Sequence, residues 1–397
     1  MTSPTPHACG RWGLHHEQIA TPVDLLEEPE AACLDGGRDD VAFFWHDPAS
    51  DRSLLGIGAV RHFVGDGPGD LARVAREIRD ATEGMAGLDQ GGLLALGGFA
   101  FADQAPGRST GLPGCWFLLP RRLWRREGRT TRVIDVDAPS APPPRVTPVA
   151  PEPFADDWHP RVASALDEIR RGSLDKVVLS RRRCLPRPEV PLRRVLRRLR
   201  DERPRCVTFA VRCGDTAFFG STPEWMVRLD ARGLHAPALA GTWPRGASPE
   251  ADEAHAAALL DCLKNRREHR AVVDGVVASL RKLGIQPDVD EARILRLPEA
   301  MHLRTEIGGR VPAGLDVLRL AAELHPTPTV CGTPRAAAAS FLRRSEADRG
   351  WYTGGVGWMD TRGHGEVVVG LRSALQDGLG LTIHGGAGIV SGSDADT

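Results

Sequence analysis

The sequence predicts an α+β fold, and three observations predict it. The first third is a run of short apolar segments separated by turns. The middle carries amphipathic helical patterns with apolar residues spaced by three and four. The last stretch alternates strand-like runs with glycine turns. No internal repeat and no low-complexity tail interrupts this order.

Residues 41–45 and 54–59 read as strands, with the turn-rich His46-Asp47-Pro48-Ala49-Ser50-Asp51 between them. Leu71, Val74, Ala75 and Ile78 then mark one face of a helix. Strand character returns over 93–101 and 116–119. The proline-rich run from Pro139 to Pro153 can be neither helix nor central strand and reads as a linker or surface loop. Beyond it, Trp158, Val162, Leu166 and Ile169 predict a helix closed by Gly172, and residues 176–179 predict a strand. Residues 249–283 read as one long helix. Strands follow over 356–359, 366–371 and 379–383. The basic run Arg193, Arg194, Arg197, Arg198 and Arg200 reads as the wet face of a helix whose apolar side is Val195, Leu196 and Leu199.

At 41% hydrophobic residues the 397-residue chain can build a substantial core. Its 51 lysines and arginines balance 52 acidic residues, so charge gives no signal for nucleic acid or a membrane surface. The eight cysteines form no CxxC pair, which speaks against a zinc site or a disulfide framework. No apolar run approaches membrane-spanning length, residues 1–20 lack the apolar core of a signal peptide, and the cytoplasm is the expected location.

Several residues could carry chemistry. Lys176 heads an apolar strand. Its plainer reading is a solvated strand-end lysine; pressed against apolar walls, the same amine becomes a base near neutral pH. Glu224, in Gly220-Ser221-Thr222-Pro223-Glu224, is either a surface turn residue or a carboxyl screened at a strand end and suited to general acid work. The glycines of the Ala240-Gly241-Thr242-Trp243-Pro244-Arg245-Gly246 loop permit close approach to an anion, and Thr242 can donate to a carboxylate. Asp261, Lys264 and Glu268 share a helix face, most simply as a salt-bridged stripe. His302 reads first as a packed, satisfied histidine. Arg372, a strand arginine near Tyr352 and a glycine loop, can grip a carboxylate bidentately.

Taken together with Leu324-His325-Pro326-Thr327-Pro328, the tract from Asp348 to Trp358, Leu371-Arg372-Ser373 and Gly386-Ala387-Gly388-Ile389-Val390, the chain resembles the chorismate-utilising enzymes. That family includes isochorismate synthase, salicylate synthase and the large subunits of anthranilate and aminodeoxychorismate synthases. The resemblance is dense from Lys176 to Val390 and weak over the first 150 residues. It implies two large antiparallel sheets packed face to face with helices outside. It further implies one structural domain in which 1–150 is the N-terminal part and 151–397 the catalytic core.

The resemblance also implies roles. Lys176 would activate water and Glu224 would protonate the leaving hydroxyl of chorismate. Glu268 would be a ligand for Mg2+, the implied cofactor. Gly241, Thr242, His302, Thr329, Tyr352, Arg372 and the backbone of Gly386, Ala387 and Gly388 would hold the substrate. Lys176 favours a water-adding member, and Ala240 disfavours the branch with a nucleophilic lysine there. Thr329 leans toward members that also eliminate pyruvate. Trp243 departs from the usual arginine, and the chain ends at Thr397, before a helix expected to supply a second magnesium glutamate. The leading expectation is a monomeric isochorismate synthase feeding menaquinone, a siderophore or another salicylate-derived metabolite through a downstream isochorismate-consuming enzyme. Salicylate synthase is the alternative. An anthranilate-type synthase, which would need a glutaminase partner, and a non-catalytic chorismate-binding protein stand behind them.

Overall fold

The computed structural model describes residues 13–19, 23–36, 41–83, 92–103, 111–146, 157–186, 190–298 and 300–396. Among them lie an eleven-stranded and a nine-stranded sheet, with a three-stranded sheet beside them. All the strand pairings are antiparallel. The α+β architecture and the two stacked sheets agree with expectation.

The sheets face each other across an aromatic core. Phe43, Trp45 and Phe209 from the eleven-stranded sheet meet Leu96, Trp116 and Trp358 from the nine-stranded one. Burying each such side chain fully is worth about 1.5–3 kcal/mol. Helices cover the outer faces. Helix Leu192–Glu202 sets Leu192 and Leu196 against Phe44 and Phe219, leaving the arginine run on the wet side. Helices Leu71–Thr82, Leu263–Lys282 and Val317–Leu324 cover the nine-stranded sheet with Val74, Ile78, Val272, Val276 and Leu320.

Four expectations need correction. The single helix over 249–283 is two, Pro249–Asp261 and Leu263–Lys282, broken at Cys262 in an extended conformation. The halves bury different surfaces: Ala256 and Leu259 pack on Met301 and Leu303, whereas Val272, Val273 and Leu280 join the main helical layer. Asp261 therefore lies on a different helix from Lys264 and Glu268, and the three do not form one stripe. Both glycine motifs expected as loops are strands: Ala240 to Pro244 lies in Ala238–Pro244, and Gly386 to Gly388 in Gly380–Val390. The second of these strands runs beyond the expected 379–383, and its partner runs from Lys176 to Pro186 rather than stopping at residue 179. Arg372 lies in a turn, not a strand, with φ +49°. The proline-rich run is irregular over 139–146, and its remainder lies outside the described residues.

Candidate active site

The long antiparallel pair Lys176–Pro186 and Gly380–Val390 forms the floor. Its register sets Lys176 opposite Val390, Val178 opposite Gly388 and Ser180 opposite Gly386. Gly385 to Gly388 are exposed on this strand, next to the buried Ile389. A methyl added at Gly388 would stand 3.2 Å from Lys176 Cε, and one at Gly386 would stand 3.0 Å from the Tyr352 hydroxyl. Glycine here lets two functional side chains lie flat on the strand.

Lys176 is buried, and its Nζ donates to Glu268 Oε1 at 2.5 Å. The turn Pro223-Glu224 follows strand Thr216–Thr222, and Glu224 is pinned at both backbone ends. Its N–H donates to Thr222 Oγ1 at 3.2 Å, and its carbonyl accepts from Val369 at 2.9 Å. Its carboxyl is pushed up from 4.5 to about 7, chiefly by burial. A hydrogen bond from the Thr329 hydroxyl and the charge of Lys176 partly oppose that rise. Thr327 and Thr329 hydroxyls are 2.6 Å apart, so a two-hydroxyl relay ends on the acid. Lys176 and Glu224 thus place an amine and a carboxyl that titrates at about 7 within reach of one another's field.

The second wall is the antiparallel pair of strands Ala238–Pro244 and Ala300–Thr305. A bulge between Ala240 and Thr242 breaks the register at Gly241, whose φ of +75° suits glycine. Thr242 Oγ1 and His302 Nδ1 pair at 3.1 Å. The imidazole is held below its ordinary value, first by burial and also by the charge of Arg372, so it is neutral at pH 7. Trp243 turns to the other side and packs on the cluster of Ala256, Leu259, Met301 and Leu303. The residue that departs from the family pattern therefore fills a local core.

The roof is two turns zipped together. Thr353 donates its N–H to Gly370 O and Gly370 donates to Gly354 O, both at 2.9 Å, while Ser221 N–H reaches Arg372 O at 3.2 Å. Thr353 and Arg372 both take positive φ, +62° and +49°. Such conformations cost a non-glycine residue about 1–3 kcal/mol and gather where surrounding structure holds a site in place. Arg349, which lies in the tract from Asp348 to Trp358, anchors this roof. It is buried, donates to Val178 O at 2.5 Å and Val330 O at 2.8 Å, and pairs with Glu346 at 2.7 Å. Its only sequence signal was its place in Asp348-Arg349-Gly350. Thr327 was likewise visible only as part of the His-Pro-Thr-Pro segment.

All the expected residues thus gather on one cleft: Lys176, Glu268, Glu224 and Thr329 on one side, Thr242, His302 and Arg372 on another, Tyr352 and the glycine strand between. The family described as chorismate binding enzyme matches residues 135–397. The chain belongs to that family.

Among curated members, the salicylate biosynthesis isochorismate synthase of Pseudomonas aeruginosa is 38% identical over 240 residues, which are 60% of this chain and 50% of that protein. The isochorismate synthase DhbC of Bacillus subtilis is 36% identical over 256 residues, 62% of this chain and 64% of that one. The chain therefore spans about half the length of the first and under two thirds of the second. The solved structure of MenF, the menaquinone-specific isochorismate synthase of Escherichia coli, superposes with a TM-score of 0.77 at 26% identity, covering 97% of this chain and 91% of that one. No helix among the described residues is long and apolar enough to cross a membrane.

Proposed function

We propose that this chorismate-binding enzyme is an isochorismate synthase. The observation that carries the reading is the combination of a buried Lys176 with an enclosed Glu224 whose carboxyl titrates at about 7. Lys176 removes a proton from water, whose oxygen attacks C2 of chorismate. The ring double bond shifts, the C4–O bond breaks, and Glu224 gives its proton to the departing hydroxyl, which leaves as water. One water enters and one leaves, so the reaction is an isomerisation. General acid and base groups of this kind each contribute about 10²–10⁴-fold. Thr242, Arg372 and the exposed glycine strand hold the substrate carboxylates.

The donor chemistry fits a sparing Mg2+ site. Glu268 supplies one carboxylate, and magnesium is content with one or two plus water and substrate oxygens. No group of three or more His, Cys, Asp and Glu side chains gathers among the described residues, and Glu268 is the carboxylate that the family resemblance puts forward to hold the ion. When bound, Mg2+ supplies positive charge for the substrate's ring carboxylate.

Thr329 keeps a second reading, salicylate synthase, because its hydroxyl donates directly to the acid. The test is product analysis by liquid chromatography and mass spectrometry after incubation with chorismate and magnesium. Isochorismate alone supports the first reading. Salicylate with pyruvate moves the assignment to the second, and no product with tight chorismate binding sinks both.

A further inference from the structure

A cavity of about 280 Å³ has Tyr352 in its wall and is lined by neither Lys176 nor Glu224. Strand ends at Leu185 and Leu381 form one wall, and Phe218, Trp351 and Leu375 form another. An engineered apolar cavity of about 150 Å³ stays dry and takes benzene. The present one has room for a bicyclic or substituted ring. Its lining is mostly apolar, with aromatic faces that favour a flat ligand.

Among the described residues, two polar side chains of this lining make no hydrogen bond, the Tyr352 hydroxyl and the His384 ring. Arg349 spends its donors on Val178, Val330 and Glu346, and the Asp377 carboxylate accepts from Leu379 and Gly380. His384 is different. It stacks face to face on Tyr352, with centroids 4.5 Å apart and planes 9° from parallel, yet its ring makes no hydrogen bond to any described residue. Burial pulls its pKa down to about 3, aided by the charges of Arg182 and Arg349, so the ring is neutral and offers an acceptor nitrogen.

We propose that this cavity is a second ligand site, for a small, uncharged, planar aromatic molecule carrying a hydroxyl that donates to His384. Tyr352 walls both this site and the chorismate cleft. An occupant pressing on the Tyr352–His384 stack therefore shifts the phenol that lies over Gly386 and changes the apparent affinity for chorismate. Only this second effect rests on the proposed isochorismate synthase reading; binding itself does not.

The test uses 2-naphthol, followed by its own fluorescence and by calorimetry, with chorismate absent. The wild-type chain should bind it saturably at a single site. Leu381→Trp, which fills the cavity, should weaken binding at least about tenfold. His384→Phe keeps the stack and removes the acceptor, and should weaken it about three- to tenfold with the melting temperature retained. If Leu381→Trp fails to fold, His384→Phe alone decides. Absence of saturable binding overturns the site, as does equal binding by wild type and His384→Phe. If naphthol binds as expected but leaves the chorismate KM unmoved, the coupling through Tyr352 is overturned while the site stands. A chain that binds naphthol but turns over no chorismate counts against the isochorismate synthase reading and not against the site.

Discussion

Lys176 Nζ stands 2.5 Å from Glu268 Oε1, so the proposed base and the proposed magnesium ligand hold each other in an ion pair. While that pair is closed, the amine is engaged and the carboxylate's charge is matched. Magnesium and the lysine therefore compete for one carboxylate. Two unit charges about 4 Å apart interact by about 4 kcal/mol near a protein surface, and part of this is lost to the partial exposure of Glu268. Replacing Lys176 with glutamine should tighten magnesium binding about tenfold in a calorimetric titration without chorismate. Unchanged or weaker binding would show that Glu268 is not where the ion sits.

The same Lys176→Gln variant should lose turnover by at least about 100-fold, as removal of a general base does. Circular dichroism should show it folded, because glutamine can still reach Glu268. A rate within a few-fold of wild type would remove Lys176 from the mechanism.

Glu224 predicts two pH effects that run in the same direction. Its proton is needed for catalysis and its carboxyl titrates at about 7, so kcat should fall as pH rises through that value. For stability, the folded state holds this proton more tightly than the unfolded chain, whose glutamate titrates near 4.5. The stabilisation is complete below about 4.5 and disappears as pH rises through about 7, with a ceiling of about 3 kcal/mol. Glu224→Gln carries no such term. It should melt at a higher temperature than wild type at pH 8, have no such advantage at pH 5, and be inactive at both. A variant less stable at pH 8 would mean the carboxyl is not desolvated in the fold.

The cleft was more legible in the sequence than the backbone that builds it. Lys176, Glu224 and Arg372 stand in short strings that resemble the family's motifs, and the fold brings them together. Secondary structure was read well where one periodicity ruled, as in helices Leu71–Thr82 and Leu192–Glu202. It was misread where tertiary packing overrode local pattern. Nothing between residues 260 and 264 marks a helix break; two separate cores impose it. The glycine motifs look like loops because glycine is a poor strand former, yet an eleven-residue antiparallel register keeps Gly386 to Gly388 extended. Arg349 was invisible because the two backbone carbonyls it holds lie 19 and 171 residues away.

That anchoring should be measurable. The Arg349 and Glu346 side chains are 2% and 3% exposed, so Arg349→Met leaves a carboxylate buried without its nearest countercharge. Breaking a buried pair from one side costs about 3–5 kcal/mol. Denaturant unfolding should show a loss of that size. The double variant Arg349→Met with Glu346→Gln should recover part of it. A loss below about 1 kcal/mol would mean the roof is held by its turns alone.

Thr329→Ala tests the hydroxyl relay through its effect on the acid. The bond from Thr329 favours the ionised form of Glu224 and is the largest influence pulling its pKa down against burial. Without it the carboxyl should titrate higher still. The descending limb of the pH–kcat profile should then move alkaline, by up to about one pH unit for a charged hydrogen bond of about 1.5 kcal/mol. Thr327→Val, which removes only the outer hydroxyl, should move the limb the same way by less, because Thr329 keeps its contact with the acid. A shift toward acid in either variant would mean that the threonines stabilise the protonated carboxyl, and that the relay runs in the opposite sense.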